Sequence, residues 1–258
     1  MSSGGVLPLD FARTGPADAP VLVLGNSLGT TRRVWEPQAP VFAERYGLLR
    51  YELPGHSLAA APPAPYALDD LGYGVLGLLD SLGIEQASYC GISLGGMIGM
   101  WLAAHAPERI DRLALVCTSA FLPPASGWRA RADLVEREGM AAVVNQSIGR
   151  WFTPEFTAGA PGLVASFADD LAAVIPDGYA GCCRAIALMD LRPCLGSISA
   201  PTLVVSGERD PATPPEHGAL IAEAIPGARH LVIPGTSHLA NVGAPGAVTG
   251  VLLEHLRR

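Results

Sequence analysis

The chain has 258 residues, of which 49% are hydrophobic and 16% charged, so it contains enough apolar material for a large buried core. The net charge is −7 and no basic run is present, which argues against a nucleic-acid partner. No apolar run approaches the roughly 20 residues of a membrane span, and the N-terminus lacks a signal-peptide pattern, so we expect a cytoplasmic protein without a membrane partner.

The first half of the chain alternates between strand-like and helix-like segments. An opening strand is predicted within residues 5–12, and a continuous apolar strand at 21–24 is typical of burial on both faces. A helix over roughly 34–45, a strand at 47–53 and a helix at 68–82 follow, and then a strand at 87–90, a helix at 94–106 and a strand at 112–117. This alternation predicts an α/β fold, a parallel sheet with helices on both faces.

The pattern changes at residue 121. From there to about residue 194 only helical segments are predicted, at 126–138, 139–151, 161–175 and 178–189. Strands at 201–206 and 229–233 and helices at 215–225 and 248–256 then resume the alternation. We therefore predict a core of residues 1–120 and 195–258, with an inserted helical cap of residues 121–194. Such a cap covers the carboxyl edge of the sheet, where ligands bind in α/β folds.

A candidate nucleophile lies between the strand at 87–90 and the helix that follows it. Gly91, Ser93 and Gly95 form a Gly-x-Ser-x-Gly pattern at this strand-to-helix turn. The turn lifts the Ser93 hydroxyl above the sheet edge, and a Cβ on either glycine would collide with a neighbouring element. A plain serine in a glycine-rich turn is the alternative, but the agreement of strand, turn and helix favours a nucleophile.

A serine nucleophile needs a base, which is usually a histidine oriented by a carboxylate. Of the six histidines, His238 lies in a loop directly after the last predicted strand, on the edge where Ser93 emerges. Asp210 follows the strand before it, with Glu208 as the fallback carboxylate. The order Ser93, Asp210, His238 is that of an α/β-hydrolase triad.

Attack on a carbonyl creates an oxyanion, which requires hydrogen-bond donors placed in advance. The N–H of Leu94, directly after the nucleophile, is the first candidate. The N–H of Ser27, in the turn after the strand at 21–24, is the second, although this stretch also fits an ordinary turn. His56, in a Pro-Gly-His turn, is interpreted as structural, holding neighbouring loops by hydrogen bonds.

With these residues in place, the chain resembles the α/β-hydrolases along its whole length and the 3-oxoadipate enol-lactonases more closely. The resemblance rests on Gly25-Asn26-Ser27-Leu28-Gly29-Thr30 with Val34-Trp35, on the elbow from Tyr89 to Gly99, on Arg150-Trp151-Phe152-Thr153, and on the stretch from Ser206 to Pro214. It implies hydrolysis of 3-oxoadipate enol-lactone to 3-oxoadipate in aromatic catabolism, without a cofactor. One departure is Glu52-Leu53-Pro54-Gly55-His56-Ser57-Leu58, where relatives tend to read Asp-x-Arg-Gly-His-Gly-x-Ser.

The substrate that this resemblance implies is a small anion, because it carries a carboxylate away from the ester. Arg129, Arg131 and Arg150 of the predicted cap are candidates to bind the carboxylate, with Trp128 and Trp151 as apolar walls. Each arginine could equally be a solvated surface residue and each tryptophan a core residue. The five cysteines match no zinc pattern, so no metal site is predicted.

Two other hypotheses about the function remain open. A carboxylesterase or a carbon–carbon bond hydrolase would use the same triad on another substrate. A ligand-binding receptor built on the same fold is the alternative of a different class, and slow turnover with tight ligand retention would indicate it.

Overall fold

The computed structural model describes residues 7–56, 61–62 and 64–257, and within them a seven-stranded sheet forms the centre of the fold. Its strands are β1 (Phe11–Thr14), β2 (Val21–Gly25), β3 (Gly47–Tyr51), β4 (Ala87–Ile92), β5 (Ile110–Val116), β6 (Thr202–Gly207) and β7 (Arg229–Ile233). The α-helices are α1 (Ala39–Ala43), α2 (Leu68–Ser81), α3 (Leu94–His105), α4 (Ala125–Glu138), α5 (Ala141–Trp151), α6 (Pro154–Gly159), α7 (Pro161–Ala172), α8 (Pro176–Leu188), α9 (Pro215–Ala224), α10 (Ala240–Gly243) and α11 (Pro245–Leu256).

The strand order is β1-β3-β2-β4-β5-β6-β7, and this sheet confirms the predicted α/β class. Strand β1 runs antiparallel to β3, whereas each of the other neighbouring pairs is parallel. Parallel strands bring their carboxyl ends to one edge of the sheet. The loops after β2, β4, β6 and β7, which carry the candidate site residues, therefore meet at the same edge.

Helix α3 holds the centre of the sheet in place. Its residues from Leu94 to Ala103 are all buried, and it packs against β2, β4 and β5. A helix that is apolar on every side belongs in a core rather than on a surface. The elbow that begins this helix is therefore anchored in the buried core.

Helices α4 to α8 occupy the segment between β5 and β6, where the described residues contain no strand, as the sequence indicates. Helix α4 packs along α8, and α5 packs against both α4 and α7. The division into a core and a cap of residues 121–194 stays a prediction. Among the described helices, no single one is long and apolar enough to span a membrane, and α7 and α8 reach that length only as a pair bent by 93°.

The prediction of one helix over residues 34–45 is wrong. The structure has a 3₁₀-helix at Arg32–Trp35 and then the short helix α1. Pro37 and Pro40 lie in this segment, and proline removes a backbone donor and clashes with the preceding turn. The opening strand also begins later than predicted, at Phe11, and residues 1–6 lie outside the described part of the chain.

Candidate active site

Ser93 lies at the turn between β4 and α3 with a strained backbone. Its φ is 56° and its ψ is −118°, a conformation that residues with a side chain rarely adopt. The turn is held by hydrogen bonds from Ser93 N to Val116 O at 2.9 Å and from Thr118 Oγ1 to Ser93 O at 2.7 Å. A Cβ on Gly95 would overlap the carbonyl of Gly25 and lie 2.9 Å from Asn26 N. The close approach that the glycine pattern predicts is therefore present.

The two predicted oxyanion donors lie on loops that are tied together. Gly95 N donates to Asn26 O at 2.9 Å, which joins the first turn of α3 to the loop after β2. Ser27 lines the cavity above Ser93, and Leu94 is the buried first residue of α3. Neither the Ser27 N–H nor the Leu94 N–H has an acceptor within the described part of the chain. Both amides are therefore available to a ligand.

Glu52 fixes the loop after β2 by hydrogen bonds. Its carboxylate accepts hydrogen bonds from Asn26 Nδ2 at 3.2 Å and from Arg32 N at 3.1 Å, and only 5% of the residue is exposed. Burial raises the pKa of Glu52 to about 7, although the Arg32 backbone and guanidinium oppose the shift. The loop that carries Ser27 is thus fixed by a carboxyl group that titrates near neutrality.

His238 and Asp210 form a buried hydrogen-bonded pair, with Nδ1 of the histidine 2.8 Å from Oδ2 of the aspartate. Asp210 also accepts from Ala212 N at 2.8 Å, Thr213 N at 3.0 Å and Thr213 Oγ1 at 2.7 Å. Burial disfavours the ionised carboxylate, but His238 and the donors of Thr213 outweigh it and hold the pKa of Asp210 below its ordinary value. Asp210 is therefore ionised at neutral pH.

The contacts of Glu208, the alternative carboxylate, and of His56, the predicted structural histidine, distinguish the roles considered for them. Glu208 is exposed and accepts from Gly235 N at 2.8 Å, so Asp210 is the carboxylate that contacts His238. His56 accepts from Gly29 N through Nε2 at 2.8 Å, and its Nδ1 lies 2.9 Å from Pro54 O. The prediction that His56 joins neighbouring loops is confirmed. Burial lowers the pKa of His56 to about 4, so this histidine is neutral.

A cavity of about 420 Å³ opens above Ser93. Ser93 and His238 both line it, although the hydrogen bonds among the described side chains do not include one between them. The four residues predicted to bind substrate, Trp128, Arg131, Arg150 and Trp151, also line this cavity. Arg129, the third candidate arginine, is exposed and is not part of its lining.

The charges of the cavity are positive. The described residues that line it include Arg131 and Arg150 but no Asp or Glu. Partial burial and the neighbouring Arg131 lower the pKa of Arg150, against the opposing effect of Tyr179. The cavity therefore has the electrostatic character of an anion-binding site inside a protein of net charge −7.

The two arginines differ in how they are held. Arg131 donates to Tyr179 Oη at 2.9 Å, Gln146 Oε1 at 2.6 Å and Ser147 Oγ at 2.7 Å, all of them neutral partners. The Arg150 guanidinium has no hydrogen-bond partner among the described residues. Arg131 is thus fixed in place, whereas all the N–H groups of Arg150 remain available.

Sequence reasoning missed Thr213 and Tyr179. Thr213 follows Asp210 by three residues, and its donors to the carboxylate form a local turn motif that the Asp-Pro-Ala-Thr stretch could have indicated. Tyr179 meets Arg131 only because α8 packs along α4, and no local pattern marks that contact. Among the described residues, no group of three or more His, Cys, Asp or Glu side chains is placed to hold a metal ion.

Comparisons with known proteins agree with this geometry. A family model described as alpha/beta hydrolase fold matches residues 20–245. The chain is 41% identical to 3-oxoadipate enol-lactonase 2 of Acinetobacter baylyi over 97% of this chain and 93% of that protein. It is 36% identical to 3-oxoadipate enol-lactonase 1 of the same organism over 90% of this chain and 86% of that protein.

A solved structure gives the same result in three dimensions. The enol-lactonase from Burkholderia xenovorans LB400 superposes with a TM-score of 0.94 and 38% identity, and the match covers 96% of each chain. The protein is therefore a hydrolase of the α/β-hydrolase family, and within it the chain belongs to the family of the 3-oxoadipate enol-lactonases.

Proposed function

We propose that the protein hydrolyses 3-oxoadipate enol-lactone to 3-oxoadipate, a step of the β-ketoadipate route of aromatic catabolism, with Ser93, His238 and Asp210 as its catalytic triad. The observation that carries the proposal is the placement of Arg131 and Arg150 in the cavity that Ser93 and His238 line. A substrate with an ester at one end and a carboxylate at the other matches this arrangement. The identity to two enol-lactonases supports the same substrate.

In the first half of the reaction Ser93 Oγ attacks the lactone carbonyl carbon, and His238 Nε2 takes the hydroxyl proton. Asp210, ionised and fixed by Thr213, stabilises the imidazolium through Nδ1. The N–H groups of Ser27 and Leu94 bind the oxyanion, and each such donor typically contributes on the order of 100- to 1000-fold in rate. The bond between the acyl carbon and the ring oxygen then breaks.

The leaving group is an enolate that stays attached to the acyl chain. It takes the proton from His238 and tautomerises to the ketone, so the ring opens without a separate product leaving. Water then attacks the acyl-enzyme, giving its proton to His238, and the Ser93 oxygen leaves with that proton. The product is 3-oxoadipate, and Ser93 and His238 return to their starting states.

Recognition of the substrate falls to the residues of the cap segment, 121–194. Arg150 binds the distal carboxylate, since its guanidinium is unpaired among the described residues and faces the cavity. Arg131, already held by Tyr179, adds positive charge from a fixed position. Trp128 and Trp151 provide the apolar walls of the cavity.

The test is hydrolysis of 3-oxoadipate enol-lactone by the purified protein. Ser93→Ala should abolish turnover, and Arg150→Gln should lower kcat/KM for the lactone by about 100-fold, the effect of losing a strong charge-assisted contact. Arg129→Gln is the matched control, because this cap arginine is exposed and lies outside the cavity lining. It should leave the rate unchanged.

A neutral aryl ester separates this proposal from its rival. If the protein hydrolyses aryl esters through Ser93 but leaves the lactone intact, the triad stands and the protein is a carboxylesterase for another substrate. If Arg150→Gln damages neutral and anionic substrates equally, the assignment of Arg150 to the carboxylate is wrong.

A further inference from the structure

Helix α5 makes a direct contact with the loop that carries His238. Ser237 Oγ donates to Arg150 O at 2.7 Å, and His238 N donates to the same carbonyl at 3.4 Å. Leu239 N donates to Trp151 O at 3.1 Å. Three consecutive residues of the histidine loop are thus bonded to the last two residues of α5.

The end of a helix explains why this contact is possible. The last four carbonyls of an α-helix have no partner inside the helix and need donors from elsewhere. Arg150 and Trp151 are the last two residues of α5, and their carbonyls are satisfied by the histidine loop. Arg150 therefore lines the cavity, and its backbone carbonyl accepts hydrogen bonds from the loop that carries the candidate base.

Ser237 is the centre of this contact. Its hydroxyl also lies 3.4 Å from Arg209 O, the residue before Asp210, and only 6% of Ser237 is exposed. A nearby ion pair between the core and the cap segment, Arg209–Glu155, lies on the surface. Exposed ion pairs contribute little, so the buried Ser237 contact is the stronger link.

We propose that Ser237 is a positioning residue that couples binding of the substrate carboxylate at Arg150 to the placement of His238. The inference rests on the proposed function, because it takes Arg150 as the carboxylate ligand and His238 as the base. When the carboxylate binds, the guanidinium and backbone of Arg150 become fixed together, and the hydroxyl of Ser237 transmits that restraint to the histidine loop. An anionic substrate therefore increases kcat as well as affinity.

The test uses a matched pair of esters that does not depend on the identity of the lactone. Mono-4-nitrophenyl adipate and 4-nitrophenyl hexanoate have acyl chains of equal length and differ in the distal carboxylate. Ser237→Ala should lower kcat for the adipate ester by about tenfold, the effect of losing one good hydrogen bond. It should change kcat for the hexanoate ester by less than about twofold, and Ser237→Thr, which keeps the hydroxyl, should restore the adipate rate.

A double-mutant cycle that combines Ser237→Ala with Arg150→Gln tests whether the two residues are coupled. On the adipate ester, Ser237→Ala should have almost no further effect once Arg150 is Gln, because the two residues act through one route. Effects that multiply independently, or equal losses on both esters, would overturn the coupling while the proposed function stands. If the unaltered protein does not prefer the adipate ester, carboxylate recognition itself fails, and the coupling fails with it.

Hydrogen exchange on the unaltered protein tests the proposal without a variant, so the test does not depend on whether the variants fold. Adipate, which is not hydrolysed, should slow exchange at the amides of His238 and Leu239, whose acceptors are the carbonyls of Arg150 and Trp151. Hexanoate bound at equal occupancy should not slow exchange at these amides. Unchanged exchange with adipate bound, or equal slowing by both acids, would refute the proposal.

Discussion

Replacing Glu52 by glutamine tests whether a buried carboxyl group below the loop of Ser27 makes stability depend on pH. Glu52 is 5% exposed, and its pKa is raised from 4.5 to about 7, chiefly by burial. Glutamine has nearly the same shape and cannot ionise. The substitution therefore removes the titration while leaving an acceptor for Asn26 and for the Arg32 backbone.

The magnitude follows from the pKa values of the folded and unfolded states. A rise from 4.5 to about 7 is about 2.5 pH units, and at 1.36 kcal/mol per unit this gives about 3 kcal/mol. Between these two values the unfolded chain has lost the Glu52 proton and the folded protein keeps it. Stability therefore falls as the pH rises through this window, and the full penalty is present above pH 7.

The comparison must be made between two proteins because other groups titrate in the same window. The pKa of His56 is lowered from 6.5 to about 4, so its contribution rises with pH between these values and opposes that of Glu52. His56 is present in both proteins, and its contribution cancels in their difference. At pH 5 the unfolded chain has already lost most of this proton, so the stability of the glutamine variant relative to the unaltered protein should increase by about 2.5 kcal/mol between pH 5 and pH 8.

Thermal unfolding at pH 5, 6, 7 and 8 measures this difference. For a chain of this size, about 2.5 kcal/mol corresponds to a relative shift of roughly 5–10 °C in Tm. Glu223→Gln is the control, because Glu223 is exposed on α9. The difference in Tm between this variant and the unaltered protein should not depend on pH. A Tm difference between the Glu52 variant and the unaltered protein that stays constant from pH 5 to pH 8 would refute the reasoning.

Two further predictions concern the candidate triad and the elbow. Thr213→Val removes one donor from Asp210, so the pKa of Asp210 should rise, and kcat/KM should fall by about tenfold. Initial rates at neutral pH measure this loss, and an unchanged kcat/KM would contradict this account. Gly95→Ala places a Cβ against the Gly25 carbonyl, so little active protein should be recovered. Gly250→Ala, with open space around its Cβ position in α11, should fold normally, as circular dichroism would show.

The sequence predicts the parts of this protein that depend on local pattern. The strand, turn and helix around Ser93 are encoded in neighbouring residues, and the structure places the loops of Asp210 and His238 at the same sheet edge because both follow parallel strands. The segment at 34–45 shows the limit of periodicity. Its apolar spacing favours a helix, but two prolines divide it into a 3₁₀-turn and five residues of α1.

The surroundings of the arginines could not be predicted in this way. Arg131 contacts Tyr179, which is 48 residues away along the chain, only because α4 and α8 pack side by side. The contact between Ser237 and Arg150 joins residues 87 positions apart. Such contacts depend on how helices cross in space, and the residue types of one segment do not determine them.

The positive cavity in a negative protein also affects how a substrate arrives. At long range the net charge of −7 repels an anion, whereas inside the cavity Arg131 and Arg150 attract it. Salt at about 0.15 M screens exposed charges beyond roughly 8 Å but acts less on partly buried ones. The repulsion should therefore weaken before the attraction does. Capture of an anionic ligand should speed up as salt rises from very low concentration and slow down only when the arginines are screened as well.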